Sequence, residues 1–332
     1  MTETADANAV VVALREAAGA LVAATLLTSL SLHAQQLERI YRVGVFFYGG
    51  SAEMAPHRNA VRERLAAHGF VEGGNLQMTW RSGIGVRQDD RDTASALAAA
   101  RPDAVLTFSS VLTQAMQWTT KSVPIVFTDV SDPIADGIVK DYARPGGNTT
   151  GVSTRHRELL AKRMEILRGL APGARRVAFV HPYSTDQSLE AALPFVRKVA
   201  VELNFELIEV PWHLIREVEE KRADAVIAYS VQGARLTADR LIGLAAKLRI
   251  ASIFPDAESV TRGALASYGT DPIEDTRLGA DQLARVLKGA EPGVLPVGQI
   301  SRFTLAINLK TARAIGLKVP SSVLIRANQV IE

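Results

Sequence analysis

Short β-branched and aromatic runs alternate with amphipathic segments along most of this chain. The run at residues 42–47 precedes a helical pattern at residues 56–68, and the alternation continues to the end of the chain. Elements that alternate in this way form βαβ units around parallel sheets. The pattern therefore predicts an α/β fold, and 332 residues are enough for two lobes that each bury a core.

The predicted elements fall into two sets of similar size. The first set ends with a strand at residues 125–127, and the second begins with a helix at residues 159–170. The Pro- and Gly-rich segment at residues 290–297 is typical of a linker through which the chain crosses back. We expect an N-terminal lobe of residues 40–155 plus about 270–290, and a C-terminal lobe of residues 156–269 plus about 298–332.

Small polar residues follow two of the predicted strands of the first set. Ser109 and Ser110 follow the third strand, and Asp129, Ser131 and Asp132 follow the fourth. Ligands of open parallel sheets bind beyond the carboxyl ends of the strands. Hydroxyl groups at a helix start suit a carboxylate, and carboxylates suit an ammonium group. A simple N-cap for the serines and a turn-forming role for Asp132 are alternatives.

Aromatic residues with a polar tip lie at other predicted strand ends. Tyr48 follows the first strand, Tyr229 ends a later one, and His181 with Tyr183 follows the strand at residues 176–180. Such side chains supply an apolar face and a polar group to a small-molecule cleft. For His181, a half-buried position in a turn is an equal alternative.

The sequence lacks the motifs of catalysis, nucleotide binding and metal binding. It contains no G-x-S-x-G, no H-E-x-x-H and no phosphate-binding glycine motif. Its six histidines never pair at metal-ligand spacing, and it has no cysteine. Asp129 and Asp132 have no histidine close by in the sequence. We therefore expect no enzyme, no cofactor and no metal site.

The formal net charge of +3 does not indicate a nucleic-acid partner. Arginines are scattered singly along the chain, and the densest basic spots, at residues 155–157 and 175–176, are very short. A phosphate backbone needs a longer basic stripe. We therefore expect no nucleic-acid partner and interpret the charge as a solvated surface.

The first segment of the chain predicts export. Residues 17–34 are apolar and uncharged, and polar residues follow them, which is typical of a signal peptide that ends at residue 34. Two features depart from this pattern: three acids precede the run, and Leu32 stands where a small residue is usual. A start codon near residues 10–12 would account for the acidic leader, and an uncleaved membrane anchor is an alternative. We expect a periplasmic protein whose residues 1–34 are a signal peptide.

Two long motifs resemble a known family. The sequence VPIVFTDVSDP at residues 123–133, with ARPGGNTTG at residues 143–151, and the sequence FTLAINLKTA at residues 303–312 resemble the ABC-transporter substrate-binding family that includes tryptophan/tyrosine-type binding proteins. The resemblance covers about residues 39–332. It implies a type I periplasmic binding protein fold, in which two Rossmann-like lobes with parallel sheets are joined by a hinge and close over a ligand. It also implies amino-acid ligands, notably aromatic ones.

The resemblance also implies which loops of this chain line the ligand-binding cleft. It implies that Ser109 and Ser110 donate to a ligand carboxylate and that Asp132 or Asp256 accepts from an ammonium group. Residues 183–186 lack the Asn-rich loop of many amino-acid-binding relatives, so the identity of the ligand is open. The candidate ligand-binding residues are Tyr48, Ser109, Ser110, Asp129, Ser131, Asp132, Thr154, His181, Tyr183, Tyr229, Ser230 and Asp256.

Together these features predict an extracytoplasmic solute-binding protein of an ABC importer. We expect it to bind a small carboxylate-bearing ligand, an amino acid or aromatic compound, and to meet an ABC permease in the inner membrane as a monomer. A two-lobed Rossmann-type enzyme such as a glycosyltransferase is the alternative from another class. A LacI-like effector domain is a third, but residues 1–38 are apolar and Ala-rich where a helix-turn-helix would precede the first strand.

Overall fold

The computed structural model describes residues 39–83, 87–181, 187–229 and 235–332. These residues form two sheets of mostly parallel strands with helices packed on them, which confirms the predicted α/β class. The predicted signal peptide at residues 1–34, Tyr183 and Ser230 lie outside the described residues. None of the helices within the described ranges is long and apolar enough to span a membrane.

The first sheet has the strand order β11-β5-β4-β3-β1-β2, and its pairs are parallel. Its strands are β1 (Tyr41–Tyr48), β2 (Leu76–Gly83), β3 (Ala104–Phe108), β4 (Ile125–Val130), β5 (Thr149–Ser153) and β11 (Gly298–Gln299). The central strand β3 is buried along its whole length. A strand that helices cover on both faces needs such a continuous apolar run.

The second sheet has the strand order β13-β12-β10-β9-β8-β6-β7. Its strands are β6 (Arg176–His181), β7 (Glu206–Pro211), β8 (Ala225–Ala228), β9 (Ala251–Phe254), β10 (Ala266–Gly269), β12 (Thr304–Asn308) and β13 (Gln329–Ile331). Strand β12 runs antiparallel to β10, and β13 runs parallel to β12. The carboxyl ends of β6, β8, β9 and β10 therefore meet at one edge of this sheet.

Helices cover both sheets. The described helices are α1 (Ser51–Ala67), α2 (Arg87–Ala99), α3 (Ser110–Thr119), α4 (His156–Leu170), α5 (Gln187–Glu202), α6 (Glu217–Glu220), α7 (Arg235–Leu248), α8 (Ala257–Thr261), α9 (Pro272–Leu287), α10 (Leu309–Ala314) and α11 (Ser321–Leu324). Helix α9 packs against α1 and β4, so it belongs with the first sheet. We call the first sheet with α1, α2, α3 and α9 the first lobe, and the second sheet with the remaining helices the second lobe.

The chain passes between the lobes at three crossings. The first crossing joins β5 to α4, the second joins β10 to α9, and the third joins β11 to β12. The linker at residues 290–297 lies on the first lobe, where the carbonyl of Leu295 accepts a hydrogen bond from the Thr150 hydroxyl at 2.7 Å. Because β11 then pairs with β5, the third crossing follows Gln299, slightly after the position near residue 298 that the sequence indicated.

Several elements differ from their predicted bounds. Helix α1 begins at Ser51 rather than near Pro56, because Glu53 accepts a hydrogen bond from the Gly50 N–H at 3.2 Å and stabilises an earlier start. The sequence pattern at residues 215–222 predicts one helix, but only Glu217–Glu220 form α6 there, and a 3-10 turn at Trp212–Leu214 precedes it.

Candidate ligand-binding site

The backbone is strained at the carboxyl ends of three neighbouring strands of the first sheet. Ser109, Asp129 and Arg155, at or just after the ends of β3, β4 and β5, have φ values of 88°, 56° and 55°. The other described non-glycine residues with positive φ follow helix ends, where this conformation is ordinary. Positive φ in a residue with a side chain costs on the order of 1–2 kcal/mol, and it persists where the surroundings enforce it. The strain therefore lies at the edge where the fold places ligands.

Ser109 and Ser110 have different environments. Ser109 occupies the N-cap position of α3, but its side chain makes no capping hydrogen bond, so the simple N-cap alternative does not describe it. The Ser110 hydroxyl is buried and donates to Asp136 Oδ2 at 2.5 Å, inside the first lobe. The hydroxyl of Ser109 therefore lies at the strand end, whereas the hydroxyl of Ser110 is hydrogen-bonded to Asp136 within the first lobe.

The loop after β4 carries several of the predicted residues. Asp132 Oδ1 accepts a hydrogen bond from the Ala135 N–H at 3.0 Å, which is the turn-forming role. The Ser131 carbonyl accepts from the Ser153 hydroxyl at 2.9 Å. Thr154 is fully buried, and its hydroxyl donates to the Val130 carbonyl at 3.3 Å, so it stabilises the loop from inside.

Asp129 lies where the pairing of β4 with β5 shifts register, between Phe127 and Val130. Its Oδ1 is 3.7 Å from His156 Nε2, across the first crossing. The shift and the positive φ together turn this carboxylate out of the regular alternation of the strand. Among the carboxylates predicted for the site, Asp129 is the one placed at the sheet edge itself.

In the second lobe, the structure brings His181 and Tyr229 together. Both rings pack against Phe179, with centroid distances of 5.7 Å for His181 and 5.8 Å for Tyr229. His181 ends β6 and is 8% exposed, whereas Tyr229 directly follows β8 and is half-buried, so the aromatic surface at this edge is mainly that of Tyr229.

Two other predicted residues have local roles. Asp256 caps α8, since Oδ1 accepts from the Ser259 N–H and Oδ2 from the Ser259 hydroxyl, both at 2.9 Å. Tyr48 is half-buried at the end of β1, and burial, followed by the charges of Asp90 and Glu53, raises the pKa of its hydroxyl. Tyr48 is therefore neutral, and it packs beside the apolar cluster on one face of the first sheet.

Two residues near the same edge were not predicted. His57 on α1 packs against Phe47 and Phe108, and its Nδ1 is hydrogen-bonded to Thr276 Oγ1 at 2.7 Å. Burial lowers the pKa of His57, although the charges of Asp129 and Asp271 oppose that shift.

Asp275 on α9 is 4% exposed and accepts a hydrogen bond from the Thr270 hydroxyl at 2.5 Å. Burial, more than the nearby charge of Asp129, raises the pKa of Asp275 to about 8. Acids are common in the first turn of a helix, so the sequence held no signal that singled out this one.

The described residues at these strand ends offer polar and aromatic groups for recognition. No group of three or more histidine and acidic side chains that could hold a metal ion occurs in the described ranges. A hydroxyl at Ser109 and a carboxylate at Asp129 lie on the first lobe, and the aromatic pair of His181 and Tyr229 lies on the second. This combination suits noncovalent binding of a small molecule with both charged and apolar parts.

Comparison with known proteins identifies similar sequences. A family model described as ABC transporter substrate binding protein matches residues 43–331 of this chain. The tyrosine-binding protein of Clostridioides difficile (strain R20291) is 26% identical over 263 residues, which cover 76% of this chain and 74% of that protein.

Solved structures show the same fold. A conserved domain protein from Vibrio cholerae is 24% identical with a TM-score of 0.80. An ABC domain from Streptococcus pneumoniae, in complex with L-Trp, is 23% identical with a TM-score of 0.78. Each alignment covers 88% of this chain and 100% of the other. The predicted type I periplasmic binding protein fold is confirmed.

Proposed function

Because the chain belongs to the family of ABC transporter substrate-binding proteins, we propose that it captures an aromatic amino acid or a closely related carboxylate for an ABC importer. The observation that carries this proposal is the strained edge of the first sheet, which presents Ser109 and Asp129 on neighbouring strands. Strained backbone clusters at ligand-binding sites, where the surrounding structure maintains it, and this supports a ligand site at the edge.

The chemistry of an α-amino acid matches these groups. The start of α3 and the Ser109 hydroxyl suit a carboxylate, because the first N–H groups of a helix have no partner within it. Asp129 suits the ammonium group through a charge-assisted hydrogen bond. The rings of His181 and Tyr229 suit an aromatic side chain. The relative named a tyrosine-binding protein and the solved complex with L-Trp support this ligand class.

Location and partners follow from the same proposal. Residues 1–34 act as a signal peptide, the mature protein works as a periplasmic monomer, and an ABC permease in the inner membrane receives its ligand. The apolar run at residues 17–34 and the family match support this assignment. N-terminal sequencing of the exported protein tests it. A start at Gln35 supports cleavage, and a start at Met1 or Thr2 contradicts it.

The protein performs no chemistry on its ligand in this proposal. The family match supports a binding protein over a glycosyltransferase or a LacI-like regulator.

A thermal-shift screen of the exported protein tests the proposed ligand class. The panel contains L-tryptophan, L-tyrosine, sugars and nucleotide sugars, together with tryptamine and indole-3-propionate as matched controls that lack the carboxylate or the ammonium group. A ligand at 100 times its Kd stabilises the folded state by about 2.7 kcal/mol. We expect a rise in Tm with an L-amino acid and a smaller one with either control. A rise with nucleotide sugars alone contradicts the proposal.

A further inference from the structure

Arg163 is a fully buried arginine in α4. Helix α4 packs against β8, β9 and β10 of the second lobe. Burial lowers the pKa of Arg163 to about 10, although the charge of Asp256 opposes that shift, so the guanidinium stays charged at neutral pH. A buried charge is costly unless hydrogen bonds satisfy it. The partners of Arg163 therefore show what the fold gains from this residue.

The guanidinium joins the carboxyl ends of two strands. Nε donates to the Tyr268 carbonyl at 2.8 Å, and Nη1 donates to the carbonyls of Tyr229 at 3.2 Å and Ala228 at 3.5 Å. Tyr268 is near the end of β10. Ala228 is the last residue of β8, and Tyr229 directly follows it. Arg163 thus holds the ends of β8 and β10 together from inside the second lobe. One of the residues that it holds is Tyr229.

The contacts of Arg163 continue toward the first lobe. Nη2 lies 3.4 Å from His156 Nδ1, and the other ring nitrogen, Nε2, lies 3.7 Å from Asp129 Oδ1. His156 begins α4 directly after the first crossing, whereas Asp129 belongs to β4 of the first lobe. A path of polar contacts therefore joins the strand ends of one lobe to those of the other.

The backbone enforces this path where it passes between the lobes. Asp129, and Arg155 directly before His156, both have left-handed backbone, with φ values of 56° and 55°. Each conformation costs on the order of 1 kcal/mol or more and needs support from the surrounding structure. The backbone of Asp129, and that of Arg155 directly before His156, are therefore both held in a left-handed conformation by the surrounding structure.

The second and third crossings meet the same path at Tyr268. Gly269 follows it, and a Cβ there would lie 1.7 Å from the Pro255 carbonyl oxygen, so the chain is tightly held where the second crossing starts. Phe303, in the third crossing, places its ring centroid 6.1 Å from that of Tyr268. All three crossings thus converge on the partners of Arg163.

We propose that Arg163, acting through His156 and Asp129, sets the relative position of the two lobes and thereby the ligand affinity. Arg163 is a positioning residue, because a fully buried side chain cannot contact ligand in the cleft. The effect on affinity rests on the proposed function, whereas the effect on the lobes does not.

Spin labels measure the position of the lobes in the ligand-free protein. The chain has no cysteine, so Ala66→Cys on α1 and Val201→Cys on α5, both at exposed positions, give one label on each lobe. Double electron–electron resonance reports the distances between the labels. We expect one narrow distribution in the labelled parent, and a shifted or broader one with Arg163→Lys, which cannot reproduce the planar fork, and with His156→Gln.

Arg168→Lys is the matched control. Arg168 lies on the same helix and also donates to backbone carbonyls, those of Leu203 and Ala174 among them, but away from the crossings. We expect its label distances to equal those of the parent. His156→Gln keeps the test decisive if Arg163→Lys folds poorly, because the His156 side chain is 24% exposed.

Affinity for L-tyrosine and L-tryptophan provides the second readout. We expect Arg163→Lys and His156→Gln to weaken binding about five- to tenfold. The double variant His156→Gln/Asp129→Asn should bind no more weakly than the weaker of its two single variants, because both residues act in one path.

Parent-like label distances in Arg163→Lys and His156→Gln, or an equal change in Arg168→Lys, overturn the proposal. If the parent binds neither amino acid but the distances change as expected, the proposed function fails and the positioning role stands.

Discussion

At the scale of single residues, burial decides the behaviour of Asp275. Its Oδ1 has no hydrogen-bond partner among the described residues, and burial raises its pKa from 3.8 to about 8. The folded protein therefore holds this proton more tightly than the unfolded chain does. As the pH rises from about 4 to about 8, the unfolded state ionises first, so this carboxyl lowers the free energy of unfolding progressively.

Replacing Asp275 by Asn removes this pH dependence. We expect the free energy of unfolding of Asp275→Asn, relative to wild type, to increase between about pH 4 and pH 8, with a slope of at most about 1.4 kcal/mol per pH unit. Urea unfolding at a series of pH values measures it. Asp89→Asn, at an exposed position in the first turn of α2, is the control. A difference that is flat across this range would show that Asp275 is ionised in the folded protein.

Ser109 allows strain and binding to be separated. Its φ of 88° and ψ of 158° lie in a region that glycine adopts readily and other residues avoid. We expect Ser109→Gly to be more stable to urea than Ser109→Ala by about 1–3 kcal/mol. Both variants lose the hydroxyl, so both should bind L-tyrosine more weakly than wild type. Equal stability of the two variants would contradict backbone strain at Ser109. Unchanged affinity for L-tyrosine would show that the Ser109 hydroxyl does not contact the ligand.

At the scale of secondary-structure elements, the sequence predicts best where an element is buried along its length. The pattern predicts the third strand at residues 104–108, and β3 spans Ala104–Phe108, because an apolar strand between helices has a clear pattern. The short elements α8, α11 and β13 were not predicted. They depend on contacts distant in sequence, such as the bond from the Leu305 N–H to Asn328 Oδ1 at 2.8 Å, which holds the last strand beside β12.

The pairing of β4 with β5 depends on Gly151. A Cβ at this position would lie 2.2 Å from the Phe127 carbonyl oxygen, so the two strands approach too closely for any side chain. We expect Gly151→Ala to lower the free energy of unfolding by about 1–3 kcal/mol. Gly243→Ala, on the exposed face of α7 with open space around it, should stabilise the protein by about 0.5–1 kcal/mol. Chemical unfolding of the pair measures both, and a tolerated Gly151→Ala would show that the strands can separate.

At the scale of the whole molecule, the alternating pattern predicted both sheets and the edge at which to search for the site. It did not predict Arg163, because an arginine on an amphipathic helix normally marks the exposed face. It also did not distinguish the hydroxyl of Ser109 from that of Ser110. That difference depends on Asp136, which the fold brings to Ser110 from 26 residues away.

Closure of the lobes is the expected response of the whole molecule to ligand. In a two-lobed binder, ligand contacts from both sides favour the closed arrangement. We expect saturating L-tyrosine to reduce the radius of gyration measured by small-angle X-ray scattering. Asp129→Asn at the same ligand concentration is the control and should remain closer to the ligand-free value. If Asp129→Asn became equally compact with ligand, closure of the lobes would not depend on recognition of the ligand by Asp129.

The three crossings also have a consequence for biosynthesis. The core of the first lobe includes Ala280, Leu283 and Leu287 of α9, which pack with Val61 and Leu65 of α1. The ribosome makes these residues only after most of the second sheet, and β11, which completes the first sheet, ends at residue 299 of 332. The N-terminal half of a nascent chain therefore has no finished domain to form, unlike a protein whose domains fold one after another during translation. The first lobe can complete folding only after β11 has been made, and the second only after β12 and β13 have been made.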